Sequence, residues 1–166
     1  MVSKQLWLYL LVMVLGSIIV LVALGGGLFG QSAPWYMQWQ HKSFLQLCHQ
    51  MPERSFWIGG QPMAVCSRCL GIYTAFLAGW LALPAWSSWS KTANLSAKKM
   101  TLVALLINIF DIVGSMFGFW ENTLVSRFII GGLMGCSTAL IFSGDFFKII
   151  IKSMGNHHGR ITTADS

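Results

Sequence analysis

A chain of 166 residues has room for one domain. Hydrophobic residues make up 55% of it, charged residues only 10%, and mean hydropathy is +0.63. A soluble domain carries about a quarter charged residues, so that class is excluded. The formal charge of +6 is scattered rather than gathered on one face, so no nucleic-acid partner is expected and the excess reads as a topology signal.

Residues 6–29 are apolar apart from Ser17 and a few glycines. A bilayer core about 30 Å thick needs roughly 20 such residues. The run is too long, and its exit too unlike a cleavage site, for a signal peptide, which predicts a retained first span. Gly25-Gly26-Gly27 near its end allows either close backbone approach or fraying. Residues 31–65 form the longest stretch without a span. Their first part mixes Trp35, Tyr36, Trp39 and Phe44 with Gln and Lys, the composition of a short helix at the membrane–water interface. Pro52, Gly59-Gly60 and Pro62 then predict an irregular loop.

A second span is predicted over 66–86, a polar link with Lys91, Lys98 and Lys99 over 87–99, and a third span over 100–120. A tight turn covers 121–126, a fourth span 125–151, and the polar tail 152–166 is expected to be disordered. The expected fold is a single all-α membrane domain over 1–166, a four-helix transmembrane bundle carrying an extracytoplasmic Cys/His loop. Four spans put both termini on one side, with Lys4, Lys91, Lys98, Lys99, Lys148, Lys152 and Arg160. Lys42, Arg54, Arg68 and Arg127 fall on the other. The positive-inside rule makes the first side cytoplasmic, in the cell's inner (cytoplasmic) membrane, and turns residues 48–73 away from the cytoplasm.

That segment holds Cys48, His49 and the pair Cys66-Ser67-Arg68-Cys69. A CxxC with two soft ligands 18 and 17 residues before it matches a zinc site of Cys3His character, since zinc favours thiolate and imidazole in a tetrahedral shell. Adjacent side chains usually point apart, so Cys48 and His49 compete for one ion. If only Cys48 binds, three protein ligands leave an open position, and His49 is free for proton transfer. A second chemistry is redox: a CxxC at a helix start beside Arg68 favours thiolate, as in quinone-coupled thiol–disulfide oxidoreductases, which share the four-span layout. Those enzymes carry a second cysteine pair in a later outer loop, and 121–126 contains none. The third reading is a structural staple or inert thiols. Cys136, inside the fourth span, reads as packing.

Arg54, Arg68 and Arg127 map to the outer rim. Arginine binds carboxylate and phosphate through paired donors, which suggests an anionic substrate such as an anionic lipid or small anion; snorkelling at span ends is the bland alternative. Glu53 and Glu121 offer partial neutralisation. Asp111 sits midway along the third span, where a carboxylate normally faces the bundle interior with a partner. Asn108, Asp111 and Ser115 share one helical face. Asp111 lies about nine residues, roughly 13 Å, below the outer turn, too deep for a zinc ligand; it reads as a proton-linked group or an interhelical lock. Asn122 and Arg127 open the fourth span, and Gly131 and Gly135 form a GxxxG packing face. His157-His158 have no fixed geometry for a metal.

The chain resembles a family of small predicted prokaryotic membrane proteins, domain of unknown function 2085, whose pattern is CHQxPxRS followed by CxRCxGIY. Cys48, His49, Gln50, Pro52, Arg54 and Ser55 match the first motif. Cys66, Arg68, Cys69, Gly71, Ile72 and Tyr73 match the second. Asp111, Asn122, Arg127, Gly131 and Gly135 fit its later part. The resemblance covers roughly 45–135 and implies no activity. The expected site is therefore Cys48, His49, Cys66 and Cys69 as metal ligands and Arg54, Arg68, Asn122 and Arg127 for an anionic substrate, with His49 and Asp111 as proton-handling groups. Zinc is the expected cofactor, and a quinone replaces it if the redox reading holds.

Overall fold

The computed structural model of the chain describes residues 2–86 and 93–161, with side chains over 6–82 and 98–142. Four long helices dominate: α1 (Val2–Ala23), α3 (Ser67–Trp86), α4 (Ala93–Met116) and α5 (Leu124–Ile161). Between α1 and α3 lies a cap with a short helix, α2 (Trp39–Phe44), and two short strands, β1 (Trp57–Ile58) and β2 (Gln61–Pro62). Three stretches are long and apolar enough to cross a membrane: Leu6–Ala23, Lys98–Met116 and Leu124–Phe142. α5 is about 57 Å long at 1.5 Å per residue and runs past the end of the expected fourth span. Residues 162–166 of the tail and 87–92 of the polar link lie outside the described residues.

The centre of the bundle is the α3–α5 pair, with α1 against the free side of α3 and α4 against α5. Small residues let the central backbones touch. A Cβ at Gly131 would collide with the Arg68 carbonyl, one at Gly135 with the Ile72 carbonyl, and one at Gly71 with the Phe128 carbonyl. The GxxxG face thus works together with a glycine on the partner helix, giving van der Waals packing where lipid supplies no hydrophobic drive. At the other end, Tyr9 of α1 stacks on Trp80 of α3 with centroids 5.9 Å apart. Asn108 of α4 donates to the Ile130 carbonyl of α5 at 3.1 Å.

α4 starts and stops earlier than the 100–120 expected from hydropathy. Its end is set by Gly118 at φ +72°. The Phe119 N–H donates to the Gly114 carbonyl at 3.0 Å and the Gly118 N–H to Ser115 at 3.4 Å, the paired bonds of a Schellman cap. The chain reverses there and returns residues 119–123 alongside the last turns of α4.

The expected irregular loop contains a hairpin. Gly59 and Gly60 both have positive φ, 57° and 76°, the twist that joins antiparallel strands through two residues. Trp57 pairs with Pro62 and Ile58 with Gln61. Strands of two residues are too short for alternation to register in a sequence. The hairpin docks on the end of α1: the Ala64 N–H donates to the Ala23 carbonyl at 3.1 Å, and Gly27 lies against the Ile58 carbonyl. The glycine run after α1 therefore serves close approach. α2 buries Gln40, His41 and Phe44 and leaves Trp39 exposed. Phe44, Cys48, Met63, Ala64, Val65 and Leu70 form the core that joins cap to α3.

Candidate metal and anion site

The site grows from the start of α3. Cys66 stands just before the helix; its carbonyl accepts the Leu70 N–H at 3.0 Å, the first bond of the helical ladder. Cys69 follows one turn later, so the CxxC spacing brings both sulfurs to the N-terminal end. Cys48 arrives from the segment after α2, where its N–H donates to the Phe44 carbonyl at 2.9 Å and its side chain enters the cap core. The three Sγ atoms lie within 4.8 Å of one another, and all three cysteines are free. The Cys66 N–H donates to Cys48 Sγ at 3.2 Å.

Cys48 is held well below the usual thiol range. Hydrogen bonds from the Cys66 and then the Cys69 thiol are the main causes, burial opposes them, and the backbone groups of Cys66 and Gln50 add to the lowering. Gln50, in the left-handed region at φ 49°, donates through Nε2 to the His41 carbonyl at 2.5 Å and pins the turn after Cys48.

Cys48 and His49 differ sharply in burial. Cys48 is 8% exposed, whereas His49 is on the surface and stands outside the sulfur group. His49 does line the cavity onto which the sulfurs open. That cavity, of about 640 Å³, is also lined by Arg54, Arg68 and Arg127, and among the described residues no acidic side chain is on its wall. The cap supplies Arg54, α3 supplies Arg68 and α5 supplies Arg127.

Arg68 makes the one ion pair among the described residues, with Asp111 of α4. Asn122 Nδ2 donates to the other Asp111 oxygen at 2.7 Å. Asp111 is 5% exposed and off the cavity wall. It is shallower than the hydropathy-based span implies, because α4 ends at Met116 and the chain doubles back to present Asn122. The Nε atoms of Arg68 and Arg127 are buried without hydrogen-bond partners. Glu53 and Glu121 pair with none of the three arginines. Ser115, from the expected polar stripe, lines the cavity, while Asn108 of that stripe bonds between α4 and α5. Cys136 is exposed and away from the cluster. The side chains of His157 and His158 lie outside the described residues.

Sequence reasoning missed the apolar part of the wall, Leu47, Met51, Ile112 and Met116, because apolar residues carry no signal in so apolar a chain. It also missed His41, which is 2% exposed, packs 5.3 Å from the Trp35 ring and has neither ring nitrogen hydrogen-bonded. Burial lowers its pKa, against a smaller opposing effect of the Pro62 carbonyl.

The motifs, cluster and polar network fall inside residues 48–141, which match a family model described as "Predicted membrane protein (DUF2085)". The chain belongs to this family. The match takes in the DUF2085 cysteines, arginines, Asp111 and Asn122 and leaves out α1. Similar proteins include the uncharacterized protein MJ1492 of Methanocaldococcus jannaschii, 36% identical over 106 residues, which is 64% of this chain and 67% of that one. An uncharacterized protein of Methanothermobacter thermautotrophicus is 33% identical over 104 residues, 59% of this chain and 86% of that one. No solved structure matches.

Proposed function

We propose that this DUF2085 protein is a four-span membrane protein whose Cys48, Cys66 and Cys69 thiolates hold a zinc ion at the face away from the cytoplasm. In this reading the ion acts on, or helps transport, a membrane-associated anionic substrate received by Arg54, Arg68 and Arg127, with Asn122 and Asp111 behind Arg68 and His49 as proton carrier. The observation that carries it is the three sulfurs within 4.8 Å, opening on the cavity that the arginines line. Tetrahedral zinc at about 2.3 Å from each sulfur sets sulfurs about 3.8 Å apart, so the cluster needs only a small contraction. Three protein ligands and one position on a cavity are the pattern of a reactive zinc rather than a closed structural one. When bound, zinc supplies a Lewis acid able to lower the pKa of a coordinated water.

In this reading α3, the expected second span, joins the three candidate stretches to make four. It packs along both α1 and α5, and its 20 residues reach about 30 Å, the hydrocarbon thickness, so it shares their depth. The excess of Lys and Arg on the side of the termini supports a cytoplasmic location for both.

The free, adjacent thiols favour a second reading, a quinone-coupled thiol–disulfide oxidoreductase with Cys48 as the partner thiol. Purification without chelators separates the two. About one zinc per chain, lost in Cys66→Ser and kept in Cys136→Ser, supports the zinc centre. A metal-free protein with a dithiothreitol-reducible Cys66–Cys69 bond supports the redox reading. A metal whose loss changes only the melting temperature marks a non-catalytic subunit. A membrane-impermeant thiol reagent applied to intact cells after metal stripping checks the side of the membrane.

A further inference from the structure

The cavity wall has two chemistries. One part is cationic, with Arg54, Arg68 and Arg127. The other is apolar, with Leu47, Met51, Ile112 and Met116. Those four side chains are open to the surroundings at 70%, 38%, 47% and 82% exposure. Ile112 and Met116 end the stretch Lys98–Met116, and Arg127 stands near the start of Leu124–Phe142, both able to cross a membrane. The cavity therefore sits where two candidate spans end, with an exposed apolar rim, Arg68 and Arg127 partly buried and Arg54 exposed at its mouth.

We propose that the cavity is a lateral port for a phosphate-bearing lipid. Its phosphate sits among the three arginines, and its acyl chain leaves sideways over Met116 and Ile112 on α4 and Leu47 and Met51 on the cap. This rests on the anion-binding reading above and adds the chemical class and the route. Phosphate fits better than carboxylate for a geometric reason. A single guanidinium satisfies both oxygens of a carboxylate, whereas a tetrahedral oxyanion offers oxygens to several guanidinium groups at once. The buried, unpartnered Nε groups of Arg68 and Arg127 are donors that lack an acceptor, an unfavourable state for a buried polar group. A bound oxyanion relieves it. With Asp111 already committed to Arg68 and Asn122, no carboxylate among the described residues competes at the wall.

The test uses the full chain in micelles of an uncharged, phosphate-free maltoside detergent, with zinc content and melting temperature recorded for every variant. The probes are a short-chain diacylglycerol phosphate, the phosphate-free diacylglycerol of the same chains, and inorganic phosphate. The lipid phosphate is expected to bind at least about tenfold more tightly than either control. Arg127→Gln is expected to weaken both phosphate probes. Met116→Glu and, independently on the cap, Leu47→Glu are expected to weaken the lipid phosphate while leaving inorganic phosphate unchanged. Equal affinity for lipid and inorganic phosphate, with no effect of either rim substitution, overturns the lipid port and leaves the anion site standing. Equal affinity for the phosphate-free diacylglycerol overturns the phosphate assignment. Binding of neither phosphate probe removes the anion-binding reading and the port with it.

Discussion

Arg68 of α3 is paired with Asp111 of α4, and Arg68 stands between the two cysteines of the CxxC. One ion pair therefore ties the end of α4 to the segment that presents two sulfurs, and it holds one of the cavity's guanidinium groups in place. Asn122 satisfies the second carboxylate oxygen, so the acceptor is shared between the turn after α4 and the start of α3. Removing one partner of a buried pair leaves the other charge uncompensated. Asp111→Asn is thus expected to lower stability by about 3 kcal/mol, read as a fall in melting temperature of the purified protein. The double variant Arg68→Gln/Asp111→Asn is expected to lose less than the sum of the two single losses. Strict additivity would show that the pair contributes nothing as a pair.

His49 stands outside the sulfur cluster although it adjoins Cys48. His49→Ala is expected to retain zinc at the wild-type stoichiometry, whereas Cys48→Ser loses it. Elemental analysis of the two variants checks this, and loss of zinc in His49→Ala would restore a four-ligand closed site.

The α3–α5 contact depends on backbone approach at Gly131. Gly131→Leu places a side chain on the Arg68 carbonyl and is expected to cost about 3 kcal/mol, the upper range for overpacking. One residue on, a Cβ at Gly132 meets Ala75 at 3.6 Å, ordinary contact, so Gly132→Ala is expected to be neutral or slightly stabilising. Comparable losses in the two variants would argue against backbone contact as the basis of the pairing.

His41 is buried and its pKa is lowered from the ordinary 6.5. The unfolded chain takes up a proton below that value while the folded chain resists it, so the unfolded state binds more protons in this window and stability rises with pH. Full stability is expected above about pH 6.5, with a decline as pH falls from there toward the folded value. Melting temperatures between pH 7 and pH 5 measure the slope. His41→Phe is expected to flatten it, and an unchanged slope would move its origin to another group.

Much of the site was legible because it is written in rare residue types. In a chain with 10% charged residues, each arginine and the buried Asp111 is conspicuous, and CxxC spacing brings its sulfurs together through helix geometry alone. The apolar stretches marked α1, α4 and α5 by their length, and GxxxG marked a packing face. By itself, then, the sequence determined that the chain is an apolar, helical membrane protein, and singled out the cysteines and arginines that gather at the candidate site. Tertiary structure alone decided how those side chains meet. The Gly118 cap ended α4 early and brought Asn122 to Asp111, and the Gly59-Gly60 turn folded the cap onto α1. The opposite burial of Cys48 and His49 left three sulfurs as a group with the imidazole outside it. These outcomes depend on where the chain reverses and which faces are then buried, and such long-range contacts leave no periodic trace in local sequence. The stretch from Cys48 to Cys69 thus names the three sulfurs, while the packing of α3 against α4 and α5 gives them their shared cavity.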